Sequence, residues 1–454
     1  MMRKRIVVAG LVPALFALGA CSQGGADPSA TDSGDGSGNQ VEVSYWLWDA
    51  TQQPGYEQCA ANFENANPGI TIAFQQYGWD DYWTKLMASF VADAAPDVFT
   101  DHLSKYAEFA GNGQIVPLDD LIAADGFDTS VFAEGLIEPW TFTDGAIYGI
   151  PKDWDTTAFF YNADMMTAAG YTADDLMNLT WNPDDGGTYE QLVAHLTVDA
   201  NGVRGDEAGF DKNNVDVYGI GINPAYDVTG QMQWANFTGS LGWDYLDQNP
   251  WGTHYNLDDP DFQKTINWYY GLSAKGFMPP SGTFTDETPT QIGSGKVAIG
   301  TNGDWASGQF FALENVTIGV FPGPVGPSGE RASVFNGLAD SISTSSTHQA
   351  EAWKWVQYLG STACQDVIAS TATVFPAIPS STEKALEAFT AKGWPVDAFY
   401  SYVEDGRTFL PPITVNSAEV YDVVTPALQA IHLGQADASS LTAVNDQINE
   451  IINN

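Results

Sequence analysis

The chain has 454 residues, with 16 Lys and Arg against 57 Asp and Glu, a formal charge of −41. That balance leaves no clustered bases for a nucleic-acid backbone. With 44% hydrophobic and 13% aromatic residues the chain can build a large core, which excludes general disorder, and no marked repeat of 20–50 residues suggests a solenoid or propeller.

In chain order, Arg3, Lys4 and Arg5 precede an apolar run of about fifteen residues, 6–20, shorter than the roughly 20 a spanning helix needs. It reads as a secretory signal. The run ends Leu18-Gly19-Ala20-Cys21, which resembles the lipobox of bacterial lipoproteins and implies a lipid on Cys21 that anchors the mature chain to the outer face of the cytoplasmic membrane. Residues 21–40 are Gly, Ser, Asp and Asn with almost nothing apolar, so they predict a flexible tether.

The body opens with a β-branched and aromatic strand over 41–48, a polar turn at 49–55 and a helix over 56–66, stopped by Asn67-Pro68-Gly69. A strand over 70–74, an amphipathic helix over 79–92 and a strand over 97–100 follow. Further strands are expected at 148–151, 159–162, 218–222 and 297–300, and helices at 189–196, 262–274, 349–359 and 441–452. Alternating strands and helices predict an α/β fold with parallel strands, whose carboxyl ends bind ligands. Asp49 and Asp101 then stand just after strand ends.

Cys59 and Cys364 are the two cysteines of the mature body, and in an oxidising compartment an isolated pair is expected to be a disulfide. The five histidines, His102, His195, His254, His348 and His432, are scattered without a pair at ligand spacing, so no metal cofactor is expected. One loop crowds Asp199, Asn201, Asp206, Glu207 and Asp211 around glycines, a weak Ca²⁺ candidate whose spacing departs from an EF-hand and which contains Arg204. Gly293-Ser294-Gly295-Lys296 lacks the rest of a phosphate-binding loop, and no G-x-S-x-G elbow leads to a triad.

Trp48-Asp49 after the first strand, Ala95-Pro96-Asp97-Val98-Phe99, Gly145 to Pro151 leading to Phe160-Tyr161-Asn162-Ala163-Asp164, and Gly295 to Ile299 before Gly303-Asp304-Trp305 occur in that order. Together with the lipobox and tether, the set resembles the extracellular solute-binding proteins of ABC importers, in the branch that includes maltose-binding protein. The resemblance implies an α/β, two-lobe periplasmic-binding-protein-like fold of type II, with three hinge crossings and a ligand cleft between the lobes. It puts the crossings near 155–157, 334–336 and 375–379, so that 41–154 plus 337–374 form one lobe and 155–336 plus 375–454 the other. Both cysteines then fall in the first lobe. Ligand contacts are implied at Trp48, Asp49, Gln52, Asp101, His102, Asp155, Asn223, Tyr226, Gln231, Asn302, Asp304, Trp305, Asn336 and Gly337.

Sugar rings stack apolar faces on aromatic side chains and offer hydroxyls to Asp, Asn and Gln. Of the fifteen tryptophans, Trp46, Trp83, Trp268, Trp353 and Trp355 sit at periodic core positions, whereas Trp48, Trp154, Trp234, Trp243 and Trp305 stand at strand ends or in loops beside polar residues. The leading expectation is a monomeric, non-enzymatic receptor that passes an oligosaccharide to membrane permease subunits. The rivals are a secreted glycoside hydrolase, which needs two carboxylates flanking a glycosidic bond, and a receptor for peptides or polyamines.

Overall fold

The computed structural model describes residues 40–224 and 226–454; the leader, Cys21 and the tether as far as residue 39 lie outside them. In chain order the strands of the first half are β1 (Val41–Leu47), β2 (Ile70–Gln76), β3 (Val98–His102), β4 (Ile150–Asp155), β5 (Thr157–Asn162), β6 (Val198–Asp199) and β7 (Val215–Ile220). The second half adds β8 (Val297–Gly303), β9 (Ile318–Phe321), β10 (Ser333–Val334), β11 (Asn336–Ile342), β12 (Phe375–Pro376) and β13 (Thr408–Phe409).

They form two mixed sheets, ordered β12-β4-β11-β3-β1-β2 and β6-β7-β8-β5-β9, with a small β10-β13 pair. Strands β1, β2 and β3 run parallel, as do β7 and β8, while β11 is antiparallel to both β3 and β4. Every residue of β3, β4, β5, β8 and β11 is buried, as strands covered by helices on both faces must be. Helices fall close to their expected places; the first begins at Gln53 because Pro54 fits an opening turn, where no backbone N–H is needed.

The sheets are joined at three places. Thr156 alone links β4 to β5, and Phe335 alone links β10 to β11. The third link differs from the expectation at 375–379. Phe375–Pro376 pairs with β4 in the first sheet, and helix Pro379–Ala391 packs on helix Thr362–Thr371, its Thr382 hydroxyl donating to the Pro376 carbonyl. Beyond that helix Trp394 stacks on Phe311 at 5.4 Å and Phe399 meets Phe160 at 5.6 Å. The resemblance put a link here, but Phe375 is wholly buried against Trp154 and Phe389, and its strand pairs with β4 in the first sheet.

Expected strand 97–100 also runs further, to His102, because β11 pairs with Asp101 and His102. Asp101 therefore lies inside a central strand, its carboxylate accepting from the His102 N–H (2.8 Å) and the Ser341 hydroxyl (3.1 Å). Beside it is a buried charged group. The register between β4 and β11 slips at Lys152, and such a bulge re-aims a side chain. The Lys152 ammonium donates to the Tyr45 hydroxyl and Thr100 Oγ1, both at 2.8 Å, lies 3.5 Å from Asp340 Oδ1, and sits 3.9 Å from the centre of the Tyr56 ring. Burial raises Asp101 to about 8 and Asp153 to about 7; Lys152 partly offsets the latter.

Cys59, on helix Gln53–Ala66, and Cys364, on helix Thr362–Thr371, are bonded, with Cα atoms 5.2 Å apart. The bond closes a loop of sequence separation 305 within the first lobe. Replacing Cys364 by Ser is expected to lower unfolding stability by about 2–5 kcal/mol, read from urea titration without reductant; an unchanged midpoint counts against a stabilising bond.

The raised carboxyls carry a second prediction. Asp101 and Asp153 hold protons in the folded chain that the unfolded chain releases near pH 4, so their contribution to stability falls as pH rises through 7 and 8. His102, lowered by burial to about 3, acts oppositely, but only below about pH 6.5. The melting temperature should therefore rise as pH is lowered from 8.5 to 6.5, by at most roughly 1.4 kcal/mol of stability per pH unit for each proton. Asp101→Asn should flatten that slope; an identical slope in the variant rules out Asp101 as its source.

Candidate functional site

The carboxyl ends of β1 and β3 in one sheet and of β7 and β8 in the other face a shared cavity of about 750 Å³. Its first wall carries Trp48, Asp49, Gln52 and His102, with Trp79 from the opening turn of helix Trp79–Val91. Its second wall carries Asn223, Tyr226 and Gln231 from the loop after β7, then Phe284, Glu287 and Trp305. Asp155 and Asn336, the paired end residues of β4 and β11, form the floor, and Tyr421 reaches in from helix Ser417–His432.

Aromatic packing fixes the first wall. The Trp48 ring meets Trp79 edge-on at 5.1 Å, Tyr82 at 5.2 Å and Trp83 at 5.4 Å. Trp79 is thereby braced on one side while remaining 38% exposed, the condition for a stacking platform. His102 Nδ1 accepts from the Ser104 N–H at 3.2 Å, and burial, aided by Lys105, keeps the ring neutral. Asp49 is turned by its own loop, with Oδ1 accepting from the Thr51 N–H and hydroxyl, both at 2.7 Å.

The second wall is shaped by a tight loop. Asp227 Oδ1 accepts from the N–H groups of Thr229 and Gly230 at 2.8 Å, and Gly230 takes φ 54° with the Trp234 ring so close that a Cβ would collide with it. Gln231 emerges from this turn and donates to Asp155 Oδ1 at 2.8 Å; Asn336 donates to Asp155 Oδ2 at 3.0 Å. Burial holds the Asp155 carboxyl well above its ordinary range, and burial together with Asp155 does the same to Asp304. The Tyr226 hydroxyl bridges Ser281 Oγ (2.9 Å) and His432 Nδ1 (2.6 Å), tying the wall to the end of helix Ser417–His432.

Ten residues singled out in the sequence thus line the cavity: Trp48, Asp49, Gln52 and His102 on one side, Asn223, Tyr226, Gln231 and Trp305 on the other, Asp155 and Asn336 below. Asp101, Trp154, Trp234, Trp243, Asn302, Asp304 and Gly337 do not line it. Trp154 lies flat between Phe335 and Phe375, at 5.4 and 4.6 Å. Trp243 stacks on Phe262 at 4.4 Å, and Trp234 packs edge-on against the same ring. Asn302 donates to Thr288 Oγ1, Gly337 pairs with Trp154, and Asp304 Oδ1 caps the Thr156 N–H at 3.2 Å. A loop tryptophan beside polar residues reads alike in sequence whether it covers a core or faces a cleft.

Trp79, Phe284, Glu287 and Tyr421 were not singled out. Trp79 carried a usable signal, a bulky aromatic at the first turn of a helix that begins just beyond a strand end; the other three reach the cavity through tertiary folding alone. The acidic loop satisfies itself. Asp199 accepts from the N–H groups of Asn201, Val203 and Asp211, Asp206 pairs with His195 at 2.8 Å, and Glu207 accepts from the Arg204 N–H. Among the described residues no group of three or more His, Cys, Asp or Glu is arranged to hold a metal ion.

Similar proteins share this architecture. A putative binding protein of Brucella abortus is 24% identical over 418 residues, 91% of this chain and 92% of its own length. A maltodextrin-binding protein of Bacillus subtilis is 23% identical over 404 residues, 88% and 86% of the two chains. The solved ABC substrate-binding protein of Listeria monocytogenes in complex with cycloalternan superposes with a TM-score of 0.76 at 18% identity, over 91% of this chain and 99% of that one, so the two-lobe fold is common to both. Residues 58–394 match the family model described as bacterial extracellular solute-binding protein, and to that family the chain belongs.

Proposed function

We propose that the protein captures an oligosaccharide in the cleft and delivers it to the permease of an ABC importer, without catalysing any reaction, from a lipid anchor on Cys21. The observation that carries this reading is the cavity itself: about 750 Å³, within the range of ligand clefts, with Trp48, Trp79 and Trp305 interleaved with Asp, Asn and Gln. Flat apolar surface beside hydrogen-bonding groups matches the two faces of a sugar ring. The names of the maltodextrin- and cycloalternan-binding relatives support the same ligand class. Closure follows from the links: with Thr156 and Phe335 as single-residue joints, a ligand touching both walls stabilises the arrangement in which both contact it.

Calorimetry over manno-, xylo-, galacto- and gluco-oligosaccharides should give saturable one-to-one binding for at least one series, with no reducing ends appearing during incubation. Turnover without stoichiometric binding would replace the receptor by a hydrolase, and spermidine binding with no response to any saccharide would replace the ligand class. For the sugar that binds, Trp79→Ala should weaken affinity about tenfold, the scale of a lost stacking contact, with circular dichroism confirming that the variant is folded. Unaltered affinity removes Trp79 as a platform.

A further inference from the structure

The cavity has an unbalanced charge inventory. Five carboxylates line it, those of Asp49, Asp80, Asp155, Asp227 and Glu287, and among the described residues no Lys or Arg does. Three of the five are spoken for. Asp155 is held by two amides. Asp227 is folded into its own turn and attracts the Lys105 ammonium, which sits 3.5 Å from the ring centre of Tyr421. Asp80 occupies the first turn of helix Trp79–Val91, where the helix dipole favours a negative charge.

Asp49 and Glu287 remain. Glu287 precedes helix Thr288–Gly293 but does not cap it with its side chain; its backbone carbonyl accepts from Thr290 and Gln291 instead. Among the described residues its carboxylate makes no hydrogen bond or ion pair, and it lines the cleft on the second wall. Asp49 faces it from the first wall with Oδ2 unused, and it is the one charge that adds to the packing around Glu287 in raising the latter's pKa. On the floor, Asn336 is 3% exposed and its Oδ1 has no donor. A buried acceptor left empty is unfavourable, so a ligand that supplies a donor is favoured. All three groups ask for the same thing: N–H or O–H donors, and between the two walls a positive one.

We infer that the ligand is a saccharide bearing a protonated amine, held where Asp49 and Glu287 face each other across the cleft, and that saccharides carrying carboxylates or phosphates are excluded. This deepens the sugar-receptor reading and rests on it. A neutral ligand brings two like charges together on closure with nothing between them, whereas an ammonium bonds to both and links the walls.

The test uses the full mature protein at pH 6, below the range of ordinary amines, with three calorimetric probes: the β-1,4 trimer of glucosamine, its N-acetylated twin, and trigalacturonate. The amino trimer should bind at least about tenfold tighter than the N-acetylated one, as a charge-assisted pair does over a neutral one, and the preference should shrink in 0.5 M NaCl as surface charge is screened. Trigalacturonate should not bind. Glu287→Gln should cut the preference to less than about threefold, with melting temperature confirming the fold; Asp49→Asn provides a second variant on the opposite wall. Equal binding of the two glucosamine trimers, binding of trigalacturonate, a preference that survives both variants, or failure of both trimers while a neutral oligosaccharide binds each overturns the inference and leaves the sugar receptor standing. If no saccharide of any kind binds, the receptor reading fails and this inference falls with it.

Discussion

The structure turns on how two sheets are joined. β4 and β11 are antiparallel neighbours in the first sheet, and each leaves it through a single residue, Thr156 or Phe335. Because they are adjacent, the two links lie side by side, and the last hydrogen-bonded pair before them, Asp155 opposite Asn336, becomes the floor of whatever space the lobes enclose. The remaining walls follow from strand direction. Parallel β1 and β3 on one side, and β7 and β8 on the other, aim their carboxyl ends at that floor, and loops at carboxyl ends are where α/β sheets place ligands.

Much of this was readable in residue order. The alternation of strand and helix required an α/β fold, and Trp48 and Asp49 just after β1 and Trp305 two residues after β8 reach the cavity because the carboxyl ends of those strands point to it. The segment that the resemblance made the third link was not readable, since nothing local to Phe375-Pro376 shows that it pairs with β4 and packs against Trp154 and Phe389. Asp101 was misplaced for a related reason. A charged residue ordinarily ends a strand, but a central strand with a partner on each side continues through it if its carboxyl finds donors, as this one does in Ser341 and the His102 N–H.

Tryptophans show the limit most plainly. Trp48 and Trp154 each stand beside an aspartate at the end of a first-sheet strand. One opens onto the cavity and the other lies between two phenylalanine rings, and what separates them is the identity of neighbours far away in sequence, Trp79 for the first and Phe335 and Phe375 for the second. Likewise Glu287 and Tyr421 arrive at the cavity from segments with no local mark of it. Strand-end chemistry is legible; which long-range partner closes over it is not.

The two buried polar groups of this region are built differently, and the difference suits their positions. Lys152 and Asp340 lie in adjacent strands of one sheet, where nothing moves them apart; removing one partner of such a buried pair costs about 3–5 kcal/mol, a large penalty that is harmless in a rigid element. At the links, Asp155 is met by the neutral amides of Gln231 and Asn336. A single hydrogen bond of this kind is worth about 0.5–1.5 kcal/mol net, and a neutral donor that leaves it can return to water without carrying charge. Asn336 shares the crossing with Asp155, while Gln231 belongs to the second wall, so opening the lobes need break only the weaker kind of contact. An ion pair in the same place would hold the cleft shut whether or not a ligand occupied it; amides leave the balance between open and closed to be decided by what lies between the walls.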